Sequence, residues 1–414
     1  MVNLNKVNFD LNQNKMEAKR KNKVIGRRDF LQKGSLAAFS IPVLGLNADI
    51  MCLTNKQTPQ PIKPEWRNKQ AGMVYRQLGR TGLMVSELVY GTERNNPDNT
   101  RPVELAVERG INYFDTAPTY NQGLAEATLA KVFDTPSKRD NVFIATKVTP
   151  FYTTRNRLYR EIFDKLPASR QEEIQNKENR LRTESGIEKP EYFMVYWPGQ
   201  QRQMDGAFLS DAMKDEYGER VENSPELKNV IIRSVEDSLK RVGTDYFDVV
   251  HCPHAAATSE EIRNPVIIDT FRELKKQGKV RFLGFSTHHG MADLLNTAIE
   301  LDYFDVILLA YNVINYGFLD HLLKRANEKG IGLIAMKAAM AVASPYDPAQ
   351  VPVPEWRISK LNRIIPEEMK LQVKAFLWAL QNKDLSAVVA GMNTEEMVLE
   401  NLTATGRKVD LMLA

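Results

Sequence analysis

The sequence has little cysteine, and the two residues present are widely separated. Cys52 and Cys252 belong to no Cys-x-x-Cys pair and do not follow the spacing of zinc ligands. These absences exclude a disulfide-stapled scaffold, the common structural zinc sites and a cysteine-rich iron–sulfur tail. No Gly-x-Gly-x-x-Gly follows the first predicted strand, so the usual dinucleotide fingerprint of an open α/β sheet is missing as well.

The body of the chain also lacks an excess of positive charge. The net charge is +4, but residues 1–33 hold nine basic and three acidic residues, which places +6 there and −2 on the remainder. No basic stripe interleaved with aromatic residues occurs, so we expect no nucleic-acid partner. The hydrophobic content of 43% and charged content of 26% are ordinary for a globular protein.

The N-terminal segment resembles an export signal. A basic stretch, Lys19–Lys33, contains the adjacent Arg27 and Arg28, and the uncharged run Gly34–Ala48 follows it. Paired arginines before a short apolar run are typical of twin-arginine signals. Fifteen uncharged residues fall short of the roughly 20 that span a bilayer. We therefore predict a signal segment at 1–48, the twin-arginine machinery as a partner, a periplasmic or otherwise exported location, no stable membrane span and a linker at 49–72.

Alternating strand and helix patterns follow the linker. A hairpin is predicted where Tyr75–Leu78 and Leu83–Val85 flank the glycines of Gly79–Gly82. Eight apolar strands are predicted at Ser86–Thr92, Ile111–Thr116, Val142–Lys147, Tyr246–Cys252, Val280–Ser286, Val306–Tyr311, Gly332–Ala338 and Ala387–Ala390. Helical patterns lie at Arg101–Arg109, Leu124–Val132, Lys228–Val242, Asn264–Gln277, Met291–Glu300, Phe318–Lys329, Glu367–Leu380 and Thr394–Leu402.

Eight such units predict an α/β fold, a (β/α)8 TIM barrel over residues 73–404 with a tail at 405–414. A doubly wound open sheet is the alternative. The segment 149–227 interrupts the pattern after the third strand and carries a charged helical run, Ser169–Ser185. Because a structureless loop of this length is improbable, we expect helices over the C-terminal rim, as a lid, a substrate wall or a purely structural insertion.

Polar, titratable residues end three neighbouring strands of this barrel. Asp115 ends the second, with Tyr120 on the loop beyond it, and Lys147 ends the third; the fourth ends in His251-Cys-Pro-His254. A lysine in an apolar barrel mouth needs a carboxylate partner, and Asp115 is available. We expect the cation to lower the pKa of Tyr120, giving a general acid able to protonate a carbonyl oxygen.

The chain resembles the aldo-keto reductases from about Met73 to Thr403. The stretches that carry the resemblance are the hairpin 75–82, Gly110-Ile-Asn-Tyr-Phe-Asp-Thr-Ala-Pro-Thr-Tyr120, Ala145-Thr-Lys147, Ser238–Asp248, Gly278–Ser286 and Tyr311-Asn312. The resemblance implies an oxidoreductase that transfers hydride between a nicotinamide cofactor and a carbonyl substrate: an aldehyde, a ketone or a sugar.

The family's Asp, Tyr, Lys and His tetrad corresponds to Asp115, Tyr120, Lys147 and one of two histidines. The family's histidine lies five residues beyond the aspartate equivalent to Asp248, a position that proline occupies here. His254 is one residue late, and His251 would lie about 7 Å deeper in the barrel. We predict that His254 orients the substrate carbonyl, with His251 as the alternative.

The resemblance also implies cofactor contacts. Ser286 and Thr287 stand where the family holds the nicotinamide carboxamide, although Leu308 replaces a glutamine that usually assists. The N-terminus of the last helix would bind a phosphate. The predicted contacts there and at the adenine end are Gly391, Met392, Asn393, Thr394, Glu400 and Asn401. NADP is the cofactor that the resemblance predicts. Because Glu395 and Glu396 occupy the region of the usual 2′-phosphate cation, NAD is possible as well.

Two other functions remain open from the sequence. The missing glutamine and displaced histidine are compatible with a barrel that binds cofactor but serves as a non-catalytic binding or sensing subunit. A glycoside hydrolase would need two rim carboxylates about 5–9.5 Å apart, and only Asp115 is well placed. His288 and His289 are adjacent and cannot share one face, so we predict no metal site.

Overall fold

The computed structural model describes residues 62–412. The predicted signal at 1–48 and residues 49–61 of the predicted linker lie outside the described residues. Within the described part, no group of three or more His, Cys, Asp or Glu side chains is placed to hold a metal ion. No helix in residues 62–412 combines the length and apolar character needed to cross a membrane.

A three-stranded sheet precedes the barrel. Its strands are β1 (Glu65–Trp66), β2 (Tyr75–Gln77) and β3 (Leu83–Ser86). β2 and β3 form the predicted antiparallel hairpin, while β1 pairs in parallel with β3. The folded body therefore begins before residue 73, because Glu65 and Trp66, which the sequence assigned to the linker, form a strand. A pattern of two residues is too short to show periodicity.

The hairpin turn packs closely against the barrel. A side chain at Gly79 would place its Cβ 2.3 Å from the backbone nitrogen of Gly332, and the φ of Gly79 is +48°. Glycine is required here because both the left-handed backbone and the close approach exclude a side chain. Leu78, beside this turn, is fully buried with Val89 and Tyr113 in the interior of the barrel.

Eight parallel strands close into the predicted TIM barrel. They are β4 (Leu88–Gly91), β5 (Tyr113–Asp115), β6 (Phe143–Lys147), β7 (Phe247–His251), β8 (Val280–Thr287), β9 (Val306–Ala310), β10 (Gly332–Met336) and β11 (Ala387–Gly391). Each strand pairs with its sequence neighbours, and β11 pairs with β4 to complete the ring. Nearly every strand residue is buried, as expected when helices cover a parallel sheet.

The helices surround this ring. In chain order they are α1 (Arg101–Glu108), α2 (Leu124–Val132), α3 (Pro136–Asp140), α4 (Pro150–Phe163), α5 (Ala168–Ser185), α6 (Gln201–Glu222), α7 (Pro225–Val242), α8 (Ser259–Ile262), α9 (Pro265–Lys276), α10 (Met291–Leu301), α11 (Tyr316–Glu328), α12 (Glu355–Ile364), α13 (Leu371–Leu380) and α14 (Glu395–Leu402). The short helices α3 and α8 were not predicted from the sequence, because about one turn gives too little periodicity, and α12 was not predicted either.

The interruption after β6 is helical and has a core of its own. Side chains of α4, α5 and α6, among them Tyr159, Ile174 and Met213, bury one another. The fully buried Arg155 of α4 forms ion pairs with Asp211 at 3.1 Å and Glu222 at 3.0 Å. Such a self-contained unit can hold the loop between α5 and α6 in a defined place.

Candidate active site

A large cavity opens at the carboxyl ends of the barrel strands. Its volume is about 1200 Å³, and Asp115, Tyr120 and His254 line one part of it. Gly391, Asn393 and other residues before and within α14 line another part. The cavity therefore connects the predicted proton donor with the predicted phosphate-binding region.

The side chains of Lys147 and Asp115 form a buried ion pair. The lysine Nζ donates to the Asp115 Oδ2 at 2.6 Å and to the Thr116 carbonyl oxygen at 2.8 Å. Burial raises the pKa of Asp115 and lowers the pKa of Lys147, and each partner's charge opposes the shift of the other. Asp115 Oδ1 has no hydrogen-bond partner among the described residues.

Tyr120 lies directly above this pair. The Lys147 Nζ is 4.5 Å from the centroid of the Tyr120 ring. Burial raises the pKa of Tyr120 well above its usual value, and the charges of Asp115 and Glu93 add to the rise. The pKa of Tyr120 is therefore raised rather than lowered as expected, because desolvation of the phenolate is the largest cause. Tyr120 is thus a fully protonated phenol at neutral pH.

His254, rather than His251, faces the cavity with Tyr120. The ring centroids of Tyr120 and His254 are 6.2 Å apart. The His254 Nδ1 lies 2.8 Å from the Thr149 hydroxyl, which leaves the other ring nitrogen available to a ligand. Burial, reinforced by Lys147, lowers the pKa of His254 well below its usual value, so the imidazole is neutral.

His251 is the last residue of β7 and is not among the residues that line the cavity. Its side chain is completely buried, and Nδ1 is 3.2 Å from the Phe285 carbonyl oxygen. The ring packs so closely on β8 that a Cβ at Gly284 would approach it to 2.7 Å. Burial lowers the pKa of His251 to about 3.

The predicted cofactor contacts divide into two groups. Gly391, Met392, Asn393 and Asn401 line the cavity. Thr394 caps α14, its hydroxyl accepting a hydrogen bond from the Met397 amide at 3.2 Å. The helix N-terminus beside these residues is suited to an anionic group.

The remaining predicted contacts are engaged elsewhere. The Ser286 hydroxyl accepts from the Ala255 amide at 2.9 Å, and the Thr287 hydroxyl donates to the Ala256 carbonyl at 2.8 Å. Both side chains are fully buried and shape the loop that carries His254. The Glu400 carboxylate pairs with Lys370 instead of lining the cavity. Contacts of these three side chains with a cofactor stay predictions.

Several residues that line the cavity were not predicted from the sequence as site residues. Glu93 and Arg94 follow β4, Trp197 and Arg202 come from the segment after α5, and Lys337 follows β10. Lys337 had a recognisable signal, since Ala-Met-Lys337 ends an apolar strand as Ala-Thr-Lys147 does. Trp197 had none, because a long insertion gives no register relative to the barrel.

The cavity and its lining fit a nicotinamide dinucleotide. The volume exceeds the several hundred Å³ of a typical small-ligand pocket and has room for a dinucleotide beside a small substrate. Asn393 and the first turn of α14 can hold phosphate oxygens, and Met392 and Met397 provide apolar surface near them. Asp115, Tyr120 and His254 line the other end of the cavity.

Known proteins with similar sequences cover most of the chain. The profile of the aldo/keto reductase family matches residues 82–410. The chain is 24% identical over 364 residues to the L-galactose dehydrogenase of Arabidopsis thaliana, an alignment covering 80% of this chain and 87% of the relative. An aldo-keto reductase of Fusarium vanettenii is 24% identical over 373 residues, with 81% and 87% coverage.

A solved structure shows the same fold. The holo form of aldo-keto reductase AKR11C1 from Bacillus halodurans superposes with a TM-score of 0.54 at 21% identity. The match covers 81% of this chain and 92% of that structure. It supports the barrel architecture independently of any single motif.

Proposed function

Since the chain belongs to the aldo/keto reductase family and is an oxidoreductase by that membership, we propose that Tyr120 serves as its general acid in the reduction of a carbonyl substrate. One observation carries the proposal. Tyr120 and His254 face a common cavity, above the buried Lys147–Asp115 pair, and this cavity extends to the N-terminus of α14. A proton donor, a neutral hydrogen-bonding imidazole and an anion-binding helix end thus share one space.

The protein groups have separable tasks in this proposal. When bound, a reduced nicotinamide supplies a hydride to the carbonyl carbon. His254 holds the carbonyl oxygen through the ring nitrogen that Thr149 does not use. Tyr120 donates its phenolic proton to that oxygen as negative charge develops there. The Lys147 ammonium, held by Asp115, stabilises the phenolate left behind.

We propose a small, polar carbonyl compound as substrate: an aldehyde, a ketone or an open-chain sugar. The cavity lining supports a polar substrate, since Thr119, Tyr152 and Gln203 contribute hydroxyl and amide groups near the tetrad. A named relative, the L-galactose dehydrogenase, acts on a sugar by its name. We further propose NADP as cofactor, with NAD as the alternative because Glu395 and Glu396 occupy the first turn of α14.

Fluorescence titration with NADPH and NADH in parallel, followed by a carbonyl panel, tests this function. We expect saturable binding of at least one dinucleotide and turnover of at least one carbonyl compound. Binding without turnover would favour a non-catalytic binding or sensing subunit, a candidate that the buried Leu308 and the internally bonded Ser286 and Thr287 support. Failure to bind either dinucleotide would contradict both functions.

We also propose export through the twin-arginine machinery, on the basis of Arg27, Arg28 and the apolar run behind them. Fractionation of cells expressing the full chain should place it outside the cytoplasm. The double variant Arg27→Lys/Arg28→Lys should retain it inside, because this machinery reads the arginine pair. Equal export of both forms would exclude this route.

A further inference from the structure

Two lysines lie at the carboxyl ends of barrel strands beside the cavity, and their side-chain partners differ. Lys147, at the end of β6, is held by Asp115 at 2.6 Å. Lys337 comes directly after β10 and lines the cavity itself. Among residues 62–412 the Lys337 ammonium takes part in no ion pair and no hydrogen bond, although Asp115 and Glu93 line the same cavity. The mechanism described above makes no use of Lys337.

The backbone at Lys337 has an unusual conformation. Its φ of +60° lies in the left-handed region, which glycine and asparagine adopt far more readily than lysine. Non-glycine residues in such conformations concentrate at ligand-binding sites, where the surrounding structure maintains them. Here the conformation belongs to the residue that places a cation in the cavity.

No carboxylate lies within ion-pair distance of the Lys337 ammonium among the described residues, although Glu93 and Asp115 are near enough to influence it. Its Nζ lies 5.6 Å from the Trp197 ring centroid, and the Trp197 ring is 4.7 Å from the His288 ring. Burial lowers the pKa of Lys337, with Lys147 acting in the same direction and the carboxylates of Glu93 and Asp115 opposing it. Burial and Lys337 together lower the pKa of His288 well below its usual value, so this neighbour is neutral.

We propose that Lys337 is the receptor for an anionic oxygen group bound in the cavity, a carboxylate or a phosphate. The group belongs either to the substrate, as an acid or phosphate beside the carbonyl, or to the diphosphate of the dinucleotide. This assignment rests on the function proposed above, since it places the anion in the same active site. Arg94 and Arg202 line the same cavity and add positive charge.

A bound anion would explain why Lys337 has no carboxylate partner in the cavity, which a purely structural role does not explain. A lysine that only stabilises the fold pairs with a carboxylate or extends its ammonium to water. Lys337 pairs with no carboxylate within the described residues, since Asp115 is already bonded to Lys147, and its ammonium lies beside the Trp197 ring where it lines the cavity. An incoming anion would provide the missing hydrogen-bond acceptor in a partly desolvated place, where charge-assisted bonds are strong.

The test compares Lys337→Met with Lys337→Arg, which keeps the charge, and with Lys383→Met, an exposed lysine away from the cavity. Dissociation constants for NADPH and NADH form the cofactor arm. The kcat/KM ratio for para-carboxybenzaldehyde over its methyl ester forms the substrate arm. Quenching of tryptophan fluorescence by inorganic diphosphate, with Trp197→Phe identifying the reporter, forms an arm that needs neither cofactor nor turnover.

We expect Lys337→Met to weaken diphosphate binding by about tenfold, as for loss of a charge-assisted bond. Either the affinity for the dinucleotides or the kcat/KM preference for the carboxylate substrate should fall by about the same factor. A loss confined to the dinucleotides identifies the cofactor diphosphate as the anion, and a loss confined to the carboxylate preference identifies the substrate. Lys337→Arg should recover part of the loss, and Lys383→Met should match the native protein.

Unchanged values in all three arms for Lys337→Met would overturn the proposal. The proposal would also be overturned if the native protein did not bind diphosphate and Lys337→Met changed neither the dinucleotide dissociation constants nor the kcat/KM ratio. If the native protein bound no dinucleotide and reduced no carbonyl, the proposed function would fail, yet the diphosphate arm would still decide the role of Lys337.

Discussion

Two buried aspartates lie at opposite ends of the same barrel, and their partners differ. Asp248, near the start of β7, accepts from Arg281 at 2.6 Å, from Arg139 at 2.9 Å and from the Ile144 amide at 2.9 Å. Arg67 lies 3.3 Å away as a further ion-pair partner. Both oxygens of Asp248 are therefore satisfied.

Asp115, at the end of β5, has a much poorer set of partners. One oxygen accepts from Lys147, and the other accepts from no described residue. At the amino end of the strands the carboxylate is thus fully bonded within the protein, whereas at the carboxyl end one oxygen of Asp115 has no partner among the described residues. This division follows the general placement of active sites in TIM barrels.

The largest expected effect is a loss of protein stability on substitution of Asp248, which distinguishes it from Asp115. Asp248→Asn should lower the free energy of unfolding by about 3–5 kcal/mol, because it leaves buried arginines without their carboxylate. Urea denaturation followed by circular dichroism measures it. A loss below about 1 kcal/mol would show that the Asp248 network is not structural.

The double variant Asp115→Asn/Lys147→Met is the matching change at the rim. The folded pKa of Asp115 is raised, so its stabilising contribution exists at low pH and is lost as pH rises. The folded pKa of Lys147 is lowered, so its contribution is lost as pH falls. Near neutral pH, burial of both charges therefore destabilises the folded protein. We expect the double variant to have an unchanged or higher free energy of unfolding. Its kcat should fall by more than about a hundredfold.

Substitution of the two histidines should also have different effects, on activity for His254 and on stability for His251. His254→Leu should lower kcat/KM by more than about tenfold, because the carbonyl loses its hydrogen-bond donor, while the melting temperature changes little. His251→Gln should lower the melting temperature, because the ring fills a closely packed place beside Gly284. Steady-state kinetics and thermal denaturation of both variants check this, and the reverse pattern would assign the role to His251.

Thr149→Val should give a smaller effect on the same side chain. The Thr149 hydroxyl contacts the His254 Nδ1 at 2.8 Å and so favours one ring orientation. Loss of a neutral hydrogen bond of about 1 kcal/mol corresponds to about a fivefold fall in kcat. Thr149→Ser should restore the rate, and an equal defect in both variants would indicate that the hydroxyl is not involved.

The smallest expected effect is the absence of a pH transition. Because burial holds the pKa of Tyr120 well above and that of His254 well below their usual values, both groups keep their protons unchanged near neutrality. The rate of carbonyl reduction should be flat from about pH 6 to about pH 9, and the reverse oxidation should rise with pH. A pH profile of kcat/KM with a transition near the usual histidine pKa of about 6.5 would contradict this account.

Much of this arrangement could be predicted from the sequence, because the strands are apolar runs that end in polar residues. Asp115, Tyr120 and Lys147 were found in this way and lie together in the structure. The pKa of Tyr120 could not be predicted, since desolvation depends on the whole surrounding shell. Ser286 and Thr287 illustrate the same limit: their positions along β8 are as expected, but their hydroxyls bond to the loop after β7.

The central claim is that Tyr120 donates the proton, and Tyr120→Phe tests it most directly. The change removes one hydroxyl from the cavity and leaves the ring in place. Kinetics on a carbonyl substrate of the native protein should show a fall in kcat of about 10²–10⁴-fold, with the dissociation constant of the dinucleotide nearly unchanged. A variant that retained the native kcat would contradict the account, and another group would have to supply the proton.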